Sequence, residues 1–248
     1  DVAPSRGLGD VYKRQLITPY QIYGRAKGYP ELFYCEGSTI SLKGSTTRKI
    51  AFERTSKQHV RISQNTVKDS VLVEKMLMNK QNFKSAKDVD GFVPQASGLY
   101  CIRIKNVHLL PEPFGTILLE RGHDILYIGI ASENLYNRFL NQELRAKGHG
   151  TFFRSMGAVL GYKPPKGSLI EKRNKKNYKF SKTDELKIIG WINENLMVNW
   201  VESAGDLDSL ETSLIVKYLP LLNLSKNPAA LQILSYLRKE CVEIANRN

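Results

Sequence analysis

Cysteine, histidine and long apolar runs are all scarce in this chain of 248 residues. The three cysteines, Cys35, Cys101 and Cys241, are odd in number and widely spaced, which argues against a disulfide framework or a zinc site. No run approaches the roughly 18 apolar residues that a membrane span needs. The polar, glycine-rich start does not match a secretory signal peptide. These absences argue against a secreted or membrane-embedded protein and predict a cytoplasmic one.

Positive charge, by contrast, is abundant. The chain contains 37 Lys and Arg against 24 Asp and Glu, which gives a formal net charge of +13. Such a charge attracts a polyanion, either a nucleic acid or an acidic membrane surface. We favour nucleic acid because the sequence contains no basic amphipathic helix with a clean apolar face. The apolar fraction of 42% is ordinary for a globular protein, and the length suits one or two domains.

The first ninety residues carry weaker patterns than the rest. Residues 1–15 contain the string SRGLGDVYKRQ, which resembles translated sequencing-adapter sequence, and they are left out of the fold prediction. Residues 16–90 are interpreted either as a basic N-terminal arm or as a small module, with strands at the alternations 37–42 and 50–52. Met76 or Met78 is an alternative start. The second domain, 91–248, is well patterned.

Two segments of this second domain predict strands. Gly98–Lys105 alternates between apolar and polar residues, and Asp124–Ile130 is a short apolar run. The connection between them is too long for a tight hairpin, and Leu110-Pro111-Glu112-Pro113 within it is expected to break regular structure. A third strand is predicted at Met197–Glu202.

Apolar residues at helical spacing predict helices in the remaining segments. One helix runs from Glu133 to about Lys147 and ends at Gly148-His149-Gly150. Ser181 and Asp184 form a capping box at the start of another, 181–196. Further helices are predicted at 207–218 and, behind a proline, at 228–246, with a short helix or strand at 151–162.

Two tripeptides on the first two strands carry the functional signal. Gly98-Leu99-Tyr100 and Tyr127-Ile128-Gly129 each combine a tyrosine with a glycine. A tyrosine in a strand is usually a packing residue, but a glycine there often marks the close approach of another backbone or a ligand. Arg138 follows in the next helix, and Glu211 and Asn223 lie far downstream. Together these are the groups that hydrolyse a phosphodiester with one metal ion.

This set of residues resembles the GIY-YIG nuclease superfamily over roughly residues 92–227. The resemblance implies an α/β (α+β) fold with a small, three-stranded, mostly antiparallel sheet flanked by helices, in agreement with the strand–strand–helix–strand–helix order above. It also implies a metal-dependent endonuclease whose substrate is DNA, with a duplex favoured. Two features depart from the pattern: the tripeptides are further apart than in minimal members, and no zinc finger or helix-turn-helix lies outside this region.

The resemblance also implies roles for individual residues. Tyr100 and Tyr127 would hydrogen-bond around the attacking water, with Tyr100 as the general base if nearby positive charge lowers the pKa of its phenol. Alternatively, the two phenols only orient the water. Arg138 would hold the scissile phosphate with its planar guanidinium. Glu211 would bind one Mg²⁺, or another hard cation such as Mn²⁺, and Asn223 would orient a catalytic residue or fix a loop.

Two residues near the end of the first helix are further candidates. His149 lies between two glycines, and many members of the superfamily carry a histidine in this region that assists proton transfer or contacts phosphate. A surface position without a catalytic role is the alternative. Arg145 lies two turns after Arg138 and is a candidate phosphate contact.

The segment 163–182 is the predicted DNA-binding surface and is called the basic segment below. Its eight basic residues against one acidic residue, Glu171, give a local charge of +7. Tyr162, Tyr178 and Phe180 interleave with them and would either pack or stack, whereas a solvated loop is the alternative. The predicted phosphate contacts are Lys163, Lys166, Lys172, Arg173, Lys175, Lys176 and Lys179.

Two other functions remain open. A catalytically silent module that binds nucleic acid would keep the same scaffold, and a basic RNA-binding accessory factor would share the charge. The presence of all five matching residues favours the nuclease. Restriction, repair and mobile-element roles all fit, although the long insert and the basic segment favour a restriction-type or standalone endonuclease slightly.

Overall fold

The computed structural model describes residues 70–248, together with the backbone of two short strands nearer the N-terminus. These strands, Phe33–Glu36 (β1) and Thr39–Leu42 (β2), form an antiparallel pair. They belong to a first compact unit, 1–58, and β2 coincides with the alternation noted at 37–42. The adapter-like residues 1–15 and the second alternation, 50–52, lie outside the described residues.

The second compact unit, 59–248, contains a four-stranded antiparallel sheet. Its strands are β3 (Lys84–Ser85), β4 (Gly98–Ile104), β5 (Ile125–Ala131) and β6 (Leu196–Glu202), in the spatial order β3-β6-β4-β5. The predicted mixed α/β fold with an antiparallel sheet is thus confirmed, with one strand more than the three expected. β3 has only two residues, which is too short for an alternating pattern to reveal it.

Six α-helices and one π-helix surround this sheet in the described part of the unit. They are α1 (70–78), α2 (Phe114–Glu120), the π-helix Tyr136–Leu144, α3 (Thr151–Val159), α4 (Lys182–Asn195), α5 (Leu207–Tyr218) and α6 (Gln232–Asn246).

Helix ends follow the local chemistry of the chain. Ser181 caps α4 as predicted, because its hydroxyl oxygen accepts a hydrogen bond from the Asp184 amide at 3.1 Å. The last helix begins at Gln232 and not at Pro228, since Asn227 organises a turn in between by accepting from the Ala229 amide at 2.9 Å. The segment after Leu110 is also more regular than expected, because Pro113 is tolerated at the start of α2.

The sheet separates two apolar cores. On one face, Tyr100, Ile102 and Tyr127 pack with the π-helix, α3, α4 and α6. On the other face, Leu99 and Ile128 pack against residues of α1 and α5. Side chains that alternate along β4 therefore point to different cores, as the period of a strand requires. The candidate tyrosines belong to the first core.

Arg145 links the end of the π-helix to the segment between β3 and β4 and to α4. Its guanidinium donates to the carboxylate of Asp90, to the Ala86 carbonyl oxygen at 2.7 Å and to Asn193 Oδ1 at 3.1 Å. Only 11% of its side chain is exposed. Because these donors are already used within the protein, a structural role explains Arg145 without a phosphate contact.

We predict that Arg145→Ala destabilises the protein. The change leaves the Ala86 carbonyl and Asn193 without their donor, and the loss of such bonds costs about 1–3 kcal/mol. Urea unfolding followed by circular dichroism measures this difference. Lys147→Ala, a change at an exposed position two residues away, is the control and should stay within about 0.5 kcal/mol of the parent. Equal stability of the two variants would contradict the structural role.

Candidate active site

The two tyrosines lie side by side on one face of the sheet. Tyr100 pairs with Gly129 across β4 and β5, and Tyr127 pairs with Ile102, so both phenol rings project from the same side. Their ring centroids are 6.2 Å apart and the planes differ by 23°. The register shifts after Ile102, where Leu126 is an extra residue in β5, and such bulges often re-aim side chains near active sites.

The motif glycines make room for close contacts. A Cβ atom on Gly129 would lie 2.5 Å from the Tyr100 ring, and one on Gly98 would lie 2.2 Å from the Val201 carbonyl oxygen. Another backbone thus approaches Gly98 closely, as expected from the sequence. At Gly129 the close neighbour is the Tyr100 side chain and not a ligand. Gly129 allows the Tyr100 ring to lie flat across β5.

A buried carboxylate, Glu143, lies next to the tyrosine pair. Tyr100 Oη donates to Glu143 Oε1 over 3.4 Å, and Arg138 Nη2 is 3.0 Å from the same oxygen. The backbone amides of Thr151 and Phe153 donate to the carboxylate at 3.1 and 3.2 Å. Glu143 thus joins β4, the π-helix and the first turn of α3, where a negative charge is favourable.

Gly150 permits this arrangement. A Cβ atom at position 150 would lie 2.3 Å from the Gln142 carbonyl oxygen and 2.4 Å from Glu143 Oε2. Contacts that close do not occur, so a larger residue would push the start of α3 away from the carboxylate. Glycine at this position therefore keeps the amides of α3 within reach of Glu143.

Burial raises the pKa of both candidate tyrosines. The pKa of Tyr100 is held well above its ordinary value by burial first and then by the negative charge of Glu143, and the pKa of Tyr127 is raised in the same way. Arg138 opposes both shifts but is outweighed. Arg138 alone therefore does not lower the pKa of Tyr100 below its ordinary value, as base catalysis by a phenolate would require. The neutral phenol favours the alternative, in which tyrosine orients water.

Arg138 lies on the π-helix with a third of its side chain exposed. Its guanidinium is held by Glu143 and by Gln142 Oε1, which accepts from Nη1 at 3.0 Å. Burial alone would lower the pKa of Arg138, but Glu143 and the nearby tyrosines raise it, so the group stays cationic. An ordered arginine that still reaches solvent is suited to bind a phosphate group.

Asn223 is buried and fixes the segment after α5 to the edge of the sheet. Its side chain accepts from the Ile128 amide at 3.0 Å and donates to the Ile128 carbonyl at 2.8 Å. Backbone bonds from Leu221 to Ile125 and from Leu222 to Leu126 continue the pairing. The residues around Asn223 therefore cover the edge strand β5 directly beside Tyr127.

Glu211 is held by an ion pair. Lys226 Nζ lies 2.8 Å from Glu211 Oε2 and 2.5 Å from Asp208 Oδ1, and the Asp208 carbonyl oxygen is 3.4 Å away. Only 13% of the Glu211 side chain is exposed. The charge of Glu211 contributes to the raised pKa of Tyr100 and Tyr127, so it acts on the tyrosine pair electrostatically.

These oxygen atoms fit a hard divalent cation. Two carboxylates and one carbonyl already surround the cationic nitrogen of Lys226, and oxygen ligands are those that Mg²⁺ prefers. Lys226 would have to move aside for an ion to bind Glu211. In the described part of the chain, no cluster of three or more His, Cys, Asp or Glu forms a metal site.

His149 is exposed and lies in positive surroundings. Partial burial lowers its pKa, and the charges of Lys179 and Arg154 lower it further. Arg154 also donates to the His149 carbonyl oxygen over 3.5 Å. The two cations beside the neutral imidazole form a positive surface that is suited to contact a phosphate backbone. The lowered pKa makes His149 less suited to donate a proton as a general acid.

Most of the basic segment is exposed, but its aromatic residues are not. Tyr178 and Phe180 are buried in the first core, so they pack there and are not available for stacking on bases. Lys163 is paired with Glu240 at 2.6 Å, and Lys175 donates to the carbonyl oxygens of Leu169 and Ile170. The exposed cations without such a contact in the structure are Lys166, Lys172, Arg173, Lys176 and Lys179.

The structure adds residues that sequence reasoning missed. Glu143 lies four residues after Phe139, so it falls on the apolar side of its helix. A charged residue on the apolar side of a helix was the signal in the sequence that could have revealed it. Lys226 could not be foreseen, because its contact with Glu211 depends on the turn after α5. Arg238 of α6 donates to Ser155 Oγ at 2.8 Å and flanks the Tyr178 ring together with Arg154.

The tyrosine pair, the arginine and the helix-borne carboxylate belong to a segment that matches a known catalytic-domain family. The family model of the GIY-YIG catalytic domain matches residues 98–240, which is more than half of the chain. The chain therefore belongs to the GIY-YIG family, a nuclease family, as its two tripeptides predict. Neither the curated proteins nor the solved structures include a match to it. Among the helices of the described residues, none combines the length and apolarity that a membrane crossing requires.

We predict that Gly129→Ala destabilises the protein and displaces the Tyr100 ring. The added methyl group would overlap the ring, and such overpacking costs about 1–3 kcal/mol. Gly190→Ala is the matched control, because a Cβ there meets nothing within 4 Å and alanine favours a helix by about 0.5–1 kcal/mol. Thermal unfolding should therefore shift down for the first variant and up for the second. Equal melting temperatures would contradict the close packing of Tyr100 on β5.

Proposed function

We propose that the protein is a metal-dependent endonuclease that hydrolyses phosphodiester bonds of duplex DNA. The observation that carries the proposal is the grouping of Tyr100, Tyr127 and Arg138 on one face of the sheet of a GIY-YIG domain. The electrostatic influence of Glu211 on this group supports it further. The net charge of +13 suits a polyanionic substrate.

In this proposal the tyrosines position the attacking water. Their phenols are neutral, because burial raises the pKa of both, and each can therefore accept and donate hydrogen bonds. Two hydroxyl groups held by stacked rings fix a water molecule at small entropic cost during the reaction. Phe139, whose ring centroid is 4.7 Å from that of Tyr100, keeps the ring in place.

Arg138 binds the scissile phosphate and the charge that develops on it. Its guanidinium is oriented by Glu143 and Gln142, so little side-chain freedom is lost on binding. A planar group with several donors can contact two phosphate oxygens at once. A preoriented donor of this kind stabilises the transition state more than the ground state.

Glu211 holds the cation, with Asp208 as a second oxygen donor. Members of this family typically use divalent metals, and a bound Mg²⁺ or Mn²⁺ would supply Lewis-acid stabilisation of the phosphate and the leaving oxygen. The Lys226 ammonium, which neutralises both carboxylates in this structure, would then turn to solvent or to the DNA. Asn223 keeps β5 and α5 in a fixed relation.

One observation favours a second candidate function, a catalytically silent module that binds nucleic acid. Lys226 occupies the carboxylates that would bind the metal, and Arg138 is neutralised by Glu143. If the Lys226–Glu211 and Arg138–Glu143 ion pairs both persisted when DNA is bound, the protein would bind DNA without cutting it. Cleavage of supercoiled plasmid with Mg²⁺, compared with EDTA, separates the two functions.

We predict that Glu211→Ala abolishes plasmid cleavage while DNA binding persists. The carboxylate is the main candidate metal ligand, whereas phosphate contacts come from Lys and Arg side chains. Lys226→Met is the matched control, because it breaks the same ion pair but leaves the carboxylate in place. It should retain Mg²⁺-dependent cleavage. Nicking at the parent rate by Glu211→Ala, with both variants folded, would contradict the assignment.

A second prediction concerns the basic segment. Replacing Lys172, Arg173 and Lys176 by Ala should weaken duplex binding in EDTA and flatten the plot of log affinity against log salt. Removal of one lysine or arginine that touches a phosphate reduces the slope by about 0.9, so the change should be roughly 2–3 if all three do so. The effect should be the same for any duplex sequence, since backbone contacts carry no base readout.

Lys175→Ala is the control for this experiment. Its ammonium already donates to the carbonyl oxygens of Leu169 and Ile170, so its removal should leave the salt slope unchanged. An unchanged slope in the triple variant would mean that the basic segment is only solvated.

A further inference from the structure

Glu143 is a fully buried carboxylate whose contact with Tyr100 has no role in the function described so far. Its side chain has no exposed surface, and four donors converge on its two oxygens. They are Tyr100 Oη, Arg138 Nη2 and the backbone amides of Thr151 and Phe153. Burying a carboxylate is costly unless hydrogen bonds and ion pairs compensate for the lost water. The four donors supply this compensation and hold the Glu143 carboxylate in one position.

The chemistry of this contact determines the direction of the Tyr100 hydroxyl. An ionised carboxylate only accepts hydrogen bonds, so the phenol must be the donor in the contact with Glu143. With its proton directed at Glu143, the phenol oxygen keeps its lone pairs free to accept. The Tyr100 side chain is fully buried in this structure, so water reaches its oxygen when the site opens to bind DNA. A water molecule there would donate to Tyr100 and keep its own lone pair free for attack.

We propose that Glu143 is the positioning residue of the site, which makes Tyr100 a hydrogen-bond acceptor for the attacking water and takes up the tyrosine proton as the water attacks. The inference rests on the proposed function. It adds a proton path that contains no free phenolate.

The proposed step moves two protons within the site and one from solvent, while one bond to phosphorus forms and another breaks. The water oxygen forms a bond to phosphorus while one water O–H bond breaks, and that proton passes to Tyr100 Oη. The proton already on Tyr100 passes to Glu143 Oε1. The bond from phosphorus to the leaving oxygen breaks with its electron pair, and the leaving oxygen takes a proton from solvent. Glu143 afterwards returns its proton through Tyr100 to bulk water.

Two features of the site support this path. Burial raises the pKa of Glu143, which makes the carboxylate a better proton acceptor than a solvated one, and burial also keeps Tyr100 from ionising by itself. In addition, Gly150 holds the start of α3 against Glu143, so the carboxylate cannot turn away when it is protonated. Arg138 contacts the same Glu143 oxygen as Tyr100, so the residue proposed to bind the phosphate and the proposed proton acceptor are in direct contact.

The test compares Glu143→Gln, Tyr100→Phe and the double variant in single-turnover cleavage of plasmid at saturating protein with Mg²⁺. The amide of glutamine keeps the size of the side chain and an acceptor for α3 but removes the charge. Glu185→Gln is the matched control, because Glu185 is another buried glutamate, paired with Lys182 on α4. Thermal unfolding and DNA affinity in EDTA are measured for each variant.

Glu143→Gln is expected to lose about 10²–10⁴-fold in cleavage rate, the usual contribution of a proton-transfer group, with DNA affinity within a few-fold of the parent. Glu185→Gln should cleave at nearly the parent rate. The double variant should lose far less than the product of the two single losses, since two residues that act as one unit are not additive. A parent-like rate for Glu143→Gln, or a double variant whose losses multiply, would overturn the proposal.

A second measurement does not depend on cleavage or on a folded Glu143 variant. Carboxyl ¹³C NMR of glutamate-labelled protein follows the titration of Glu143 in the parent and in Tyr100→Phe. Loss of the phenol donor should raise the pKa of Glu143, because a hydrogen bond to the charged form is removed. An unchanged titration would overturn the proposal. A parent that never cuts DNA with Mg²⁺ or Mn²⁺ would instead contradict the proposed function, and the NMR result would still decide the Tyr100–Glu143 contact.

Discussion

The ion pair between Glu143 and Arg138 is the interaction on which the candidate site depends. A buried carboxylate costs several kcal/mol unless its partners are well placed. Here the arginine, the Tyr100 hydroxyl and two amides of α3 offset that cost together. Because these donors come from three different elements, satisfying one carboxylate also fixes the relative position of β4, the π-helix and α3. The same contacts orient the two groups that would face water and phosphate.

The edge of the sheet imposes a second constraint. β5 is an edge strand, and its free backbone groups are covered by the segment that contains Asn223. That segment directly follows α5, which carries Glu211. The candidate metal ligand and Tyr127 are therefore connected through backbone pairing, and not through long flexible side chains. Lys226, at the end of the same segment, neutralises the carboxylates of Glu211 and Asp208.

Much of this architecture follows from sequence patterns, and the exceptions have physical reasons. The strands with Tyr100 and Tyr127, and the helix with Glu211, were predictable because their apolar periodicity is local. β3 is too short for such a signal. The spacing of Arg145 suggested a phosphate contact, but tertiary contacts with Asp90 and Ala86 occupy it. For Tyr178 and Phe180, packing and stacking were both open, and their burial decides for packing, which no local pattern reveals. The contact between Glu143 and Tyr100 joins residues 43 positions apart.

The most direct test of the account is a crystal structure of Tyr100→Phe with a DNA duplex and Mn²⁺, recorded at the manganese absorption edge. One anomalous difference map then locates the cation relative to the scissile phosphate. We expect a peak at the Glu211 carboxylate, with Lys226 displaced and a phosphate oxygen on Arg138, while Glu143 still holds the arginine from the other side. A manganese ion and a phosphate bound away from Glu211 and Arg138 would contradict it.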